Sequence, residues 1–183
     1  MTRGENQLAR IDEFLATAAM SEMEKDVFRE LAQYAAELGY TPRYGKNAHG
    51  QVVYLSFIKG KVNRTLMKFR IWGPYEDVAF YEQGNEGKVQ LILSFYATRE
   101  YSDIFHQGVK RVIEEFGGKY TGCYGCGKCQ GEPKGYIYQY PDGKKVFRCG
   151  GELIELPAIG RKRAAEIKAM LKKQDEFWLE ERL

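Results

Sequence analysis

The sequence predicts an α+β fold: an antiparallel sheet with helices packed on one face, extended by a metal-stapled loop and a β-hairpin. Three observations predict it. Apolar residues recur at helical spacing over positions 8–38 and again after residue 162. Runs of β-branched and aromatic residues, partly alternating, occupy positions 52–96. All four cysteines fall between Cys123 and Cys149. At 183 residues and 44% hydrophobic, the chain can bury one sizeable core without cross-links merely to fold. An aromatic content of 14% sets it apart from disordered chains.

Leu8, Ile11, Leu15 and Ala18 predict a first amphipathic helix over 6–19. Ser21-Glu22-Met23-Glu24 is a capping-box pattern, and Val27, Leu31, Tyr34, Ala35 and Leu38 continue a second helix to Gly39, a left-handed stop. The period then changes. Strands are expected over 52–58, 66–72 and 89–96, with a weaker one at 77–81; Gly60, Gly73-Pro74 and Gly84-Asn85-Glu86-Gly87 separate them. Ser102 caps a helix expected over 103–116, which Gly117-Gly118 ends. Residues 135–140 and 145–149 flank Pro141-Asp142-Gly143, where proline fixes φ and glycine accepts positive φ, so a hairpin follows. A last helix over 162–179 carries Ala164, Ile167, Leu171 and Trp178 on one stripe. The organisation expected is an α+β core over 1–118 with the cysteine loop, hairpin and final helix of 119–183 packed on it as one domain.

Cys123, Cys126, Cys129 and Cys149 read C-x2-C-x2-C-x19-C and leave no cysteine for an ordinary core position. Four thiolates match a closed tetrahedral zinc site, and C-x2-C spacing lets two sulfurs of one tight turn meet the same ion. Gly125 and Gly127 let the backbone curl around them. An iron–sulfur cluster is the alternative cofactor, although Pro133 stands where a ferredoxin-type run has its next cysteine. Four sulfurs leave no open position for water, so the role expected is structural. Free buried thiols are the blander reading, disfavoured by the glycines and lysines around them.

Charge is uneven. Residues 119–173 hold 12 Lys and Arg against 5 Asp and Glu, in a chain whose net charge is only +3. A solvated surface explains such a segment most simply; phosphate attraction is the sharper reading. Gly122 to Lys128 fits the start of a phosphate-binding P-loop, but Cys129 replaces the hydroxyl and Pro133 stands where the required helix would run. Leu156-Pro157-Ala158-Ile159-Gly160 resembles the second half of a helix-hairpin-helix, with Arg161, Lys162 and Arg163 at the positive end of the helix that follows. Tyr136, Tyr138 and Tyr140 share one strand face, either as packing or as a stacking platform, and Lys128 and Arg148 are further candidate ligand or anion contacts. His49 and His106 are the only histidines, and neither sits in a recognisable catalytic pattern.

The order of helix, strands and helix between Met23 and Phe116 resembles the MmcQ/YjbR-like α+β group of bacteria, which implies a binding module. The chain also resembles uncharacterised cysteine-bearing bacterial proteins in Tyr120 to Cys129 and Phe147-Arg148-Cys149. The expectation is therefore a non-enzymatic module with a structural zinc site that binds a small molecule or protein. Nucleic-acid backbone binding through 119–173 is the alternative. The acidic residues among the first 20 positions argue against a secretory signal, and no apolar run is long enough to span a membrane, so a cytoplasmic setting is expected.

Overall fold

The computed structural model describes residues 3–71, 87–94, 103–110, 135–149, 153–155 and 159–180. Helices α1 (Arg3–Ala16) and α2 (Glu22–Glu37) open the chain. The predicted capping box is formed: the Ser21 Oγ accepts from the Glu24 amide, and the Glu24 carboxylate accepts from the Ser21 amide at 2.8 Å. Gly39 takes φ +88° and ends α2, its amide donating to the Ala36 carbonyl. Arg29 bridges the two helices through Asp12 at 2.8 Å. Because Ser21 is exposed and serves only this cap, Ser21→Ala is expected to cost about 1 kcal/mol, read from urea unfolding. A loss below about 0.3 kcal/mol would show that the cap is redundant.

A meander follows: β1 (Thr41–Lys46), β2 (Val52–Lys59), β3 (Arg64–Ile71) and β4 (Val89–Ser94), each antiparallel to the next. Alternation puts Leu55 and Phe57 of β2, Met67 and Phe69 of β3, and Leu91 and Leu93 of β4 on one face. Against that face pack Ile11, Phe14 and Leu15 of α1 and Phe28, Leu31 and Ala32 of α2. Apart from Ala32, each of these side chains contributes about 1.5–3 kcal/mol on leaving water.

After α3 (Asp103–Lys110), which buries Ile104 and Phe105, come the paired strands β5 (Gly135–Gln139) and β6 (Lys145–Cys149). The hairpin stands as predicted, with Gly143 at φ +86° in its turn. Strand β7 (Leu153–Glu155) then adds to β4, completing a five-stranded sheet in the order β1-β2-β3-β4-β7. A 3-10 turn over Arg161–Arg163 leads into α4 (Ala164–Glu180), whose Ala164, Ile167, Leu171 and Trp178 are buried as the stripe predicts.

Two strands were not expected. Strand β1 contains Pro42 and Gly45, both poor strand formers; it is tolerated because it lies at the sheet edge, where a missing N–H costs no ladder bond. Strand β7 has three residues, too few to show a period. The weak strand expected at 77–81 and the second half of the helix expected over 103–116 lie outside the described residues.

Candidate functional site

Of the expected metal ligands, Cys123, Cys126 and Cys129 lie outside the described residues, as does Lys128. Cys149 is the last residue of β6, where it pairs with Gly135. Among the described residues no cluster of three or more His, Cys, Asp or Glu could hold a metal ion.

The other expected contact residues divide. Tyr138 and Tyr140 meet edge to face, with ring centroids 5.3 Å apart, and both pack against the hydrophobic core together with Val146. Packing thus accounts for them. Tyr136 shares their strand parity, and Arg148 is its partner across the hairpin. Arg163 donates to the Glu166 carboxylate at 2.9 Å, so its charge is already neutralised; Glu166 also accepts from the Ile104 amide. Arg161 helps line a groove of about 400 Å³ between α1 and α2, alongside Asp12, Asp26 and Glu30. Arg29 lines the same groove and pairs with Asp12 and Asp26, while Lys168 pairs with Glu30. Lys162 is exposed.

A different constellation lies on the sheet face opposite the core. One cross-strand row runs Gly45, Tyr54, Arg70 and Gln90, and the next runs Arg43, Ser56, Lys68 and Ile92, with Glu155 at its far register position. Neighbours within a row have Cβ atoms roughly 5 Å apart. Lys68 Nζ lies 5.7 Å from the Tyr54 ring centroid, and the Arg70 guanidinium carbon lies 5.6 Å from it. The ring reaches back over Gly45, where an added Cβ would come 3.1 Å from the Tyr54 Cβ. Glycine in β1 thus leaves room for the ring.

These rows are not an open, solvated surface. Ile92 is 3% exposed although it faces away from the helices, and the Gln90 Oε1 is buried with no hydrogen-bond donor. Lys68 is partly buried; burial, then the neighbouring Arg70 charge, hold its ammonium below the usual lysine range. Among the described residues it has no carboxylate partner. A solvated strand lysine would extend into water, whereas this one lies over an aromatic ring in cation–π contact.

A third group is buried between sheet and helices. The Tyr40 hydroxyl donates to the Asp175 Oδ1 at 2.8 Å, and the Lys59 ammonium reaches both oxygens of the same carboxylate at 2.9 and 3.1 Å. Burial first, and the Asp175 carboxylate second, push the Tyr40 phenol well above its usual range. Every charge here has its counterpart within the group, which suits a clasp between the end of α2, the end of β2 and helix α4.

The outer-face group does not stand out in the sequence. Tyr54, Lys68, Arg70 and Gln90 look like ordinary polar members of alternating strands, and only register brings them together. Asp175 did carry a signal: it stands four residues after Leu171 and eight after Ile167, a charge inside the apolar stripe of α4.

No helix among the described residues is long and apolar enough to cross a membrane. No family model, curated protein or solved structure matches the chain.

Proposed function

We propose that the chain is a non-enzymatic binding module, stapled by a zinc ion on Cys123, Cys126, Cys129 and Cys149, that takes up a small molecule on the outer face of its sheet. The observation that carries the binding role is the outer-face grid itself: two cations around one aromatic ring on the central strands, with a buried acceptor beside them. Rigid strands hold such groups more precisely than loops do.

The zinc reading rests on ligand chemistry and spacing. The β5–β6 register supports it, because Cys149 lies across the ladder from Gly135, six positions beyond Cys129. Six residues span at most about 20 Å, so the cysteine loop can return to the end of β6. Bound there, four thiolates would make zinc a cross-link with no open coordination position.

Protein purified without added metal is expected to hold about one zinc per chain and to be colourless; a brown protein absorbing near roughly 400 nm would identify an iron–sulfur cluster instead. Cys126→Ser is expected to lose the metal and lower the thermal midpoint, since structural metal binding is coupled to folding. Unchanged metal content and midpoint in that variant would remove the clasp.

A further inference from the structure

We infer that the free edge of β1, with the groove beside it, takes up an extended acidic peptide segment of a partner protein. The segment adds to the sheet alongside β1 and places carboxylates on Arg10 and Arg43. This site is independent of the outer-face grid and of the zinc clasp.

The edge is the first argument. Strand β1 is the outermost strand in the order β1-β2-β3-β4-β7, so among the described residues only its β2 side is paired. A strand edge left in that state is a template for a further strand. Beside it lies a groove of about 870 Å³, flanked by Asn6, Gln7 and Arg10 of α1 and by Thr41, Pro42 and Arg43 of β1. That volume is in the range of ligand-binding clefts.

Charge selects the occupant. Arg10 stacks over the Tyr44 ring, its guanidinium carbon 5.9 Å from the centroid, and Arg43 is exposed. Among the described residues neither is in an ion pair. Glu13 is the one carboxylate among the described residues that line the groove, and it already accepts from the Tyr44 hydroxyl at 2.7 Å. Strand β1 itself carries Arg43 and Lys46 and no acidic residue. Cations and a proline on an edge guard against pairing with a second copy, whose edge bears the same charge. A strand bearing carboxylates meets no such repulsion. Pro42 lacks an N–H and so removes at most one bond from the new ladder.

Register fixes the spacing of those carboxylates. Arg10 belongs to the helix side of the sheet with Tyr44, which pairs with Leu55, whereas Arg43 lies in the outer-face row with Ser56 and Lys68. Consecutive side chains of an extended segment point to opposite faces. Two adjacent acidic residues therefore reach both arginines, and two separated by one position reach only one.

The test is calorimetric titration of the full-length chain with acetylated, amidated threonine hexapeptides. One carries two adjacent glutamates, a second carries two glutamates separated by one residue, and a third carries two adjacent lysines. The adjacent-glutamate peptide is expected to bind with a Kd of roughly 0.1–1 mM, about threefold more tightly than the separated pair, and to weaken as salt rises. The lysine peptide is expected not to bind. Arg10→Gln and Arg43→Gln change exposed residues and should leave the fold intact. Each is expected to weaken binding about threefold and to abolish the preference for adjacent glutamates. N-methylation of alternate peptide amides, tried on each of the two sets, should abolish binding for the set that faces β1.

No heat up to roughly 5 mM of the adjacent-glutamate peptide on folded protein overturns the site. Equal affinity of adjacent and separated glutamates, or of both N-methylated forms and their parent peptide, overturns strand addition. Parent affinity in a folded Arg10→Gln, Arg43→Gln double variant overturns the role of the arginines. Should that variant fail to fold, a lysine peptide that binds the parent chain as tightly as the glutamate peptide does so instead. A chain that dimerises at these concentrations and binds no peptide puts a second copy on the edge, which overturns the acidic partner as well.

Discussion

Asp175→Ala is expected to lower the stability of the chain by about 3–5 kcal/mol, measured by urea unfolding. The carboxylate is the shared acceptor of the buried clasp: its side chain is 8% exposed, that of Lys59 is 16% exposed, and Tyr40 is 1% exposed. Truncation strands an ammonium with no counter-charge and a phenol with no acceptor. The cost of desolvating both groups remains, and the interactions that offset it are gone.

Replacing both charges separates the contributions. Lys59→Met with Asp175→Leu removes the uncompensated charge and should recover most of the loss, because a buried ion pair contributes little beyond apolar residues of similar volume. The Tyr40 hydroxyl would still lack its acceptor, so Tyr40→Phe added to the pair should recover a further 1 kcal/mol or so. If Asp175→Ala costs less than about 1 kcal/mol, the pair is solvated and the clasp reading fails.

Phe69→Ala should cost about 3–5 kcal/mol, for a different reason. Phe69 is fully buried on the central strand β3, between Leu55 and Leu91. Its ring meets Phe28 of α2 at 5.0 Å with planes at 87°, and Phe57 of β2 at 5.0 Å with planes at 62°. It is therefore the point at which helix layer and sheet layer interlock. Truncation leaves a cavity that two β-strands and a helix cannot close by small shifts, and it removes two edge-to-face contacts of roughly 0.5–1.5 kcal/mol each. Phe69→Leu, which keeps more of the volume, should lose less. A measured cost under about 1.5 kcal/mol for the alanine variant would mean that the layers can collapse onto the gap.

Local chemistry carried much of the fold. Helix α2 is announced at both ends, by Ser21 with Glu24 and by Gly39, because caps are made by residues within one turn of the helix they close. The hairpin at Pro141 to Gly143 is visible for the same reason: turn geometry is a property of two or three residues. Strands β2, β3 and β4 are long enough to show β-branched and aromatic runs. Strand β1 is not legible, since Pro42 and Gly45 argue against a strand and only its neighbour β2 makes one of it.

The candidate site was the least legible part. The residues singled out in the sequence, among them Tyr138, Tyr140 and Arg163, were chosen for type and local spacing, yet in the fold those three are engaged in core packing and an ion pair with Glu166. The grid of Tyr54, Lys68, Arg70 and Gln90 is assembled from three strands. Alternation assigns each residue to a face, but a slip of two residues keeps every face and changes every neighbour, so alternation alone cannot pair Arg70 with Gln90.

By itself, then, the sequence determined the α+β class, the apolar faces of α2, α4 and the central strands, and the concentration of thiols between 123 and 149. Tertiary structure decided which polar groups meet. Periodicity and capping act within a few residues and can be read along the chain. Register and burial depend on contacts between residues as far apart as Tyr40 and Asp175, and those contacts exist only once the layers have packed.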